Sequence, residues 1–293
     1  MRNTRFRRQS FLGPGSEEIL DAATVAIIGF GGGGSQIGQQ LAHIGVGNFH
    51  IFDPDVFEDT NHNRLVGSVF TDIKEGTSKI EIARRLIAGI NPKARIHIHG
   101  CDWRDRAEVL RDCDVVFGCV DSFAVRAEIE VYTRRYLIPL IDVGMDVFES
   151  GNRFAISGQV ILSMPDQVCM RCMGFITEAR LAREAEAYGA AGGRPQVIWP
   201  NGVLASSAVG LFMQLLTPWC DTEPGPIFLE YDGNFQSVSR SPVLDHLAGK
   251  KCDHFGSVND LGDPFFHSVA RSHWVFPTQH AKEERDNQDS WAT

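Results

Sequence analysis

The 293-residue sequence contains no run of about 18 apolar residues, so no membrane-spanning helix is expected. It has no excess of positive charge: 28 Lys and Arg stand against 37 Asp and Glu, a formal net charge of −9. General nucleic-acid binding, which relies on clustered cations to displace counterions, is therefore not expected. No signal peptide is visible, because the arginines of RNTRFRRQS (2–10) are followed by no apolar stretch. Nor is there an even set of cysteines. Seven in a chain of this size argue against a disulfide framework and for a reducing, cytoplasmic setting. What the chain does have is 43% hydrophobic residues, enough for a large core in one domain or one domain with an appendage.

Apolar runs alternate with helical patterns from Val25 to about Val147. TVAIIGF (24–30), NFHIFD (48–53), ARIHIHG (94–100), CDVVFGCVD (113–121) and IPLIDVGMD (138–146) read as strands. Helical spacing appears near residues 35–43, in SKIEIARRLIAGI (78–90) and over residues 122–136. The alternation predicts parallel pairing in a doubly wound, mostly parallel α/β sheet of the Rossmann type. NRFAISGQVILSM (152–164) has no helical pattern and predicts a late antiparallel hairpin. TEARLAREAEAYGAAGG (177–193) reads as a surface helix or crossover, and VLASSAVGLFMQLL (203–216) as an apolar helix packed closely on the sheet. The expected organisation is an N-terminal helical arm (1–24), a nucleotide-binding domain (25–256) with a crossover (173–198), and a polar, partly disordered C-terminal extension (257–293).

Residues 29–34, GFGGGG, hold five glycines between a strand and a helix. Gly29, Gly31 and Gly34 fit G-x-G-x-x-G. Bare backbone lets N–H groups reach a phosphate oxygen, and the helix N-terminus adds partial positive charge. Asp53 follows at the end of the second strand, where a carboxylate accepts hydrogen bonds from ribose hydroxyls. These features alone fit a dinucleotide such as NAD. The next stretch, residues 53–79, supplies Asn61, Asn63, Arg64, Lys74 and Lys79, and CVDSFAVR (119–126) places Asp121 at a strand's carboxyl end. Cations beside a glycine loop, with an aspartate free for Mg²⁺, suit a triphosphate attacked at its α-phosphate. A nicotinamide has little use for them.

In this order, RFRRQ (5–9), GFGGGG (29–34), DPDVFEDTNHNR (53–64), Lys79, CVDSFAVR (119–126), CMRC (169–172) and WPNGVLASSAVGLFMQLL (199–216) resemble the ThiF/MoeB/ubiquitin-activating adenylyltransferase superfamily. The resemblance runs from about Thr4 to Gly256. It implies a chain that adenylates a carboxylate, usually the C-terminal glycine of a ubiquitin-like protein. It implies that Gly29, Gly31 and Gly34 line the ATP phosphates, that Asp53 holds the ribose and that Asn61 lies nearby. Arg64 and Lys79 would stabilise the phosphates, with Lys74 a lesser rival, and Asp121 would bind Mg²⁺. Arg8 would reach the ATP of a second subunit in a homodimer. Arg126 is either a further site residue or a structural partner of Asp121.

Cys169 and Cys172 form C-x-x-C, a common half of a zinc site. The resemblance implies a second C-x-x-C near the end; here KKCDHFG (250–256) puts Phe255 at the fourth position, leaving Cys252 and His254 to complete a Cys₃His set for structural zinc. Cys101, Cys113 and Cys119 are expected as small core residues. Relatives that form a thioester carry a crossover cysteine, and residues 173–200 contain none. The expected activity is thus ATP-dependent adenylation of a ubiquitin-like or sulfur-carrier protein. The alternatives are adenylation of another carboxylate, on a modified tRNA or a peptide, and NAD-dependent oxidoreduction.

Overall fold

Val25, Ala26, Ile27 and Ile28 are all fully buried, as a strand covered on both faces requires. They form β1 (Thr24–Ile28), near the middle of a single eight-stranded sheet. Residues 4–187, 195–220, 225–255 and 261–262 are described by this computed structural model. The other strands are β2 (Asn48–Phe52), β3 (Arg95–His99), β4 (Val115–Gly118), β5 (Leu140–Ser150), β6 (Arg153–Ser163), β7 (Ile227–Asp232) and β8 (Ser237–Arg240). Their order is β3-β2-β1-β4-β5-β6-β7-β8. The first five are mutually parallel, and β6, β7 and β8 are added antiparallel.

Helices cover both faces. They are α1 (Ser16–Ala22), α2 (Gly32–Ile44), α3 (Phe70–Glu75), α4 (Lys79–Ile90), α5 (Phe123–Arg135), α6 (Glu178–Ala187), α7 (Ile198–Leu216) and α8 (Val243–Leu247). One core joins β1, β2, β4, β5 and β6 to α2, α4 and α7 through residues such as Ile27, Ile37, Leu41, Phe117, Val160, Leu204 and Phe212. The other packs α5, the 3-10 helix Trp103–Asp112 and residues 168–176 on the opposite face. The doubly wound, mostly parallel α/β fold is as expected, with two local differences. Within residues 152–164 a single strand, β6, forms instead of a hairpin, paired by β5 on one edge and by β7 on the other. The turn lies before it, where Gly151 takes φ +63°. Helix α2 starts at Gly32 rather than near Ser35, so three glycines of the loop belong to its first turn.

Ahead of β1, a 3-10 helix (Thr4–Leu12) and α1 dock on the sheet end opposite the glycine loop. The Arg5 guanidinium donates to Ala42 O (2.9 Å), and the Phe6 ring fills the space beside Gly45 at the C-terminal end of α2. Among the described residues no helix is long and apolar enough to cross a membrane. The expected C-terminal extension, 257–293, lies outside the described residues apart from 261–262, as do crossover residues 188–194.

Candidate functional site

Strand order reverses at β1, whose neighbours are β2 and β4, and there the carboxyl ends of the strands open a crevice. A cavity of about 550 Å³ fills it. It is lined by Gly29, Gly31, Gly32 and Gly33 of the loop, by Asp53, Asp55, Asn61, Arg64 and Lys79, and by Asp121, Ser122, Gly144, Gln196 and Asn201. The glycine loop is shaped by close approach. Gly29 has φ +91°, and a Cβ there would lie 2.6 Å from the Cys119 carbonyl oxygen. The start of α2 has no side-chain cap, and its Gly31, Gly32 and Gly33 line the cavity.

Asp53 is buried and clamps this loop: Oδ2 accepts from Phe30 N–H (2.7 Å) and Oδ1 from Asp55 N–H (2.9 Å). Burial pushes its carboxyl above the usual range, and the Lys79 ammonium opposes that shift. Lys79 stands at the start of α4, with Nζ 2.6 Å from Asp55 Oδ2 and 3.7 Å from Asp53 Oδ1. The Arg64 guanidinium donates to Thr60 O (2.6 Å) and Asn63 Oδ1 (3.0 Å), and its stem packs over Gly32. Asn61 ends the 3-10 turn Asp59–Asn61, where its Oδ1 accepts from Glu58 N–H (3.2 Å).

Asp121 follows β4 and precedes Ser122, the N-cap of α5. Its Oδ1 accepts from Gln196 Nε2 (2.9 Å), and Asn63 Nδ2 donates to Gln196 O (3.0 Å). Arg126 is not a partner of Asp121. Its guanidinium is buried against Asp142 on β5, directly beneath Gly144, where a Cβ would come within 2.3 Å of it. Burial raises the Asp142 carboxyl, and the Arg126 cation pulls against that rise.

The fold therefore brings Gly29, Gly31, Asp53, Asn61, Arg64, Lys79 and Asp121 to one cavity. Gly34 does not line it. Its Cβ would lie 2.0 Å from Gly29 O, so its place is the contact between helix and loop. Lys74 is exposed on α3 and Arg8 on the N-terminal 3-10 helix; neither lines the cavity. Cys113 is buried as expected, but Cys101 and Cys119 line the cavity, with thiols raised by burial. Gln196 and Asn201 were missed. Asn201 left a signal, being an amide within an otherwise apolar helix; it packs against Gly32 and donates to Val197 O (2.8 Å). Gln196 left none.

A second cluster lies at the other end of the sheet. Sγ of Cys169 and Cys172 are 3.6 Å apart, and those of Cys172 and Cys252 3.7 Å. His254 Nδ1 is 3.5 Å and 3.4 Å from the first two. A tetrahedral zinc with bonds of about 2.3 Å to sulfur and 2.0 Å to nitrogen needs edges of roughly 3.8 and 3.5 Å. These four edges come close to that figure, and all four donor atoms lie within 4.8 Å of one another. The Phe255 ring lies against the Arg134 guanidinium, at 5.1 Å.

A doubly wound sheet with a glycine loop, a buried acid and the cations Arg64 and Lys79 at its switch point defines a Rossmann-like α/β protein. The chain belongs to the ThiF family, which it matches over residues 4–253. It is 34% identical over 172 residues to ubiquitin-like modifier-activating enzyme 5 of Drosophila ananassae, covering 53% of this chain and 41% of that protein. It is 32% identical over 164 residues to the SAMP-activating enzyme E1 of Haloferax volcanii, covering 55% and 57%. The chain thus spans about two fifths to three fifths of the length of these relatives. Its fold is similar to that of E. coli MccB with MccA-N7isoASN, with a TM-score of 0.68 at 18% identity over 83% of this chain and 74% of that one.

Proposed function

We propose that this chain is an ATP-dependent adenylyltransferase that activates the C-terminal carboxylate of a ubiquitin-like or sulfur-carrier protein. The observation that carries this is the convergence of Arg64, Lys79 and Asp121 on the cavity walled by the glycine loop. The names of its relatives agree: one activates a ubiquitin-like modifier, the other SAMP. Adenylation moves negative charge. The carboxylate oxygen bonds to the α-phosphorus, the bond to the bridging oxygen breaks, and pyrophosphate leaves with the electron pair. Backbone donors of Gly31 to Gly33 at the start of α2 hold phosphate oxygens, and the Asp53 carboxylate accepts from ribose hydroxyls. Arg64 and Lys79 offset the charge that develops, Lys79 leaving Asp55 to do so. Asp121 is the residue that would hold Mg²⁺, which would supply positive charge to offset that of the leaving pyrophosphate.

With no cysteine in residues 173–200, the proposal ends at the acyl-adenylate and includes no thioester on the crossover. A structural zinc on Cys169, Cys172, Cys252 and His254 belongs to the same reading. So does a homodimer in which Arg8 serves the partner's site: its segment docks at the C-terminal end of α2. The helix's 13 residues put that end about 20 Å from the glycine loop.

Pyrophosphate exchange in the presence of a glycine-terminated ubiquitin-like protein tests the assignment. Asp121→Ala should abolish exchange with an unchanged melting temperature, and Arg64→Ala should lower it on the order of a hundredfold. Wild-type exchange in both variants would show that the chemistry lies elsewhere.

A further inference from the structure

The first turn of α5 is held by a residue about sixty positions away. Glu184, on crossover helix α6, accepts from Ser122 Oγ (3.1 Å), Phe123 N–H (3.0 Å) and Ala124 N–H (3.0 Å). Ser122 Oγ in turn accepts from Val125 N–H (3.2 Å). The leading donors of α5 are thus satisfied partly by its own N-cap and partly by this foreign carboxylate, whose charge suits the positive end of the helix. α6 presents a matching stripe. Arg180, one turn earlier, lies 5.5 Å over the rings of both Phe123 and Phe175 and donates to Phe175 O (2.6 Å). Leu181 packs against the neighbouring core.

Asp121 is the residue immediately before Ser122, so its backbone direction is inherited from this capped turn. The far end of the crossover acts on the same residue, since Gln196 donates to the Asp121 carboxylate. We propose that Glu184 is a positioning residue for Asp121: by capping α5 from the crossover, it fixes the direction in which the Asp121 carboxylate enters the cavity. The inference rests on the reading of Asp121 as the metal–nucleotide aspartate. Glu184 is absent from the residues lining the cavity, and its contact with the site runs through α5.

The test is calorimetric titration of Mg²⁺ into full-length protein with ATP, beside titration of adenosine without metal, for the wild type, Glu184→Ala and Glu184→Gln. Amide exchange over residues 121–126 is followed in parallel. The expected results are a fivefold or larger rise in the half-saturating Mg²⁺ concentration for Glu184→Ala and a smaller rise for Glu184→Gln, whose amide oxygen still accepts from the backbone. Adenosine affinity should stay within twofold, and the Phe123 and Ala124 amides should exchange faster in the Ala variant. Unchanged Mg²⁺ dependence in Glu184→Ala would overturn the inference. So would equal losses for Gln and Ala, which would make Glu184 a metal ligand, or a parallel loss of adenosine binding, which would make its role general. The exchange measurement decides separately: unchanged Phe123 and Ala124 amides refute the cap even if nucleotide binding fails. A wild-type chain that binds ATP without regard to Mg²⁺ would refute the reading of Asp121 itself.

Discussion

Gly31 and Gly34 occupy the same motif but answer to different forces. Nothing lies within 4 Å of the place a Gly31 Cβ would take, whereas a Gly34 Cβ would be driven into the Gly29 carbonyl at 2.0 Å. Gly34→Ala therefore forces α2 off the loop and should cost about 2 kcal/mol or more, as overpacking does. In a chain of this size that lowers the melting temperature by about 3 °C or more. Gly31→Ala should leave stability within about 0.5 kcal/mol. It should nonetheless weaken ATP binding tenfold or more, because the methyl group takes the space a phosphate oxygen needs. Thermal melts and nucleotide titrations of the two variants check both statements; a stable Gly34→Ala protein would contradict the packing account. Asp53 shows a similar double duty. Its two oxygens already hold Phe30 and Asp55 N–H in place, so the acid proposed to bind ribose is also the bracket of the loop.

Among the elements, the C-x-x-C knuckle is held from behind by buried polar groups. Glu130 Oε1 accepts from Met170 N–H (2.8 Å) and Ser163 Oγ (2.5 Å), and Arg134 donates to Gln167 O (2.8 Å) and Val168 O (2.9 Å). Cys169 and Cys172 are thus set by α5 and β6 before any metal arrives, while Cys252 and His254 come from the chain after α8. Protein purified without chelator should carry about one zinc per chain. Stripping it should lower the melting temperature by several degrees, as removal of a ligand bound only to the folded state does. His254→Ala should lose most of the metal under mild chelation. Finding no zinc in the wild type would mark Phe255 as the trace of a lost site.

Elements were legible where pattern and chemistry coincide. The buried strands, the glycine loop and the acid after β2 follow from local rules, and their order identified the sheet. The β6 strand misled because its two faces meet different neighbours, leaving no single alternation to show that it is paired on both sides. The start of α2 misled because glycine is a poor helix former, and tertiary contact with Gly29 and Asn201 decided the matter. Arg126 could not be assigned from sequence: its partner, Asp142, is sixteen residues away on another element. Glu184 sits in a charged run that reads as a surface helix or crossover, with nothing local to mark its contact with α5.

For the whole molecule, the N-terminal arm and the cavity lie at opposite ends of α2, which is why Arg8 cannot serve its own site in the proposed dimer. Mixing Arg8→Ala with Asp121→Ala subunits tests this. Each variant should be inactive alone, and the mixture should recover about a quarter of wild-type exchange, since random pairing makes half the dimers mixed with one intact site each. A mixture that stays inactive would place Arg8 elsewhere. The central claim, that the ring of Arg64, Lys79 and Asp121 around a glycine loop reads a triphosphate, is tested most directly by titrating the full chain with ATP and with NAD, each with and without Mg²⁺. The account predicts Mg²⁺-dependent ATP binding and no measurable heat with NAD. Tight NAD binding with no response to ATP would contradict it.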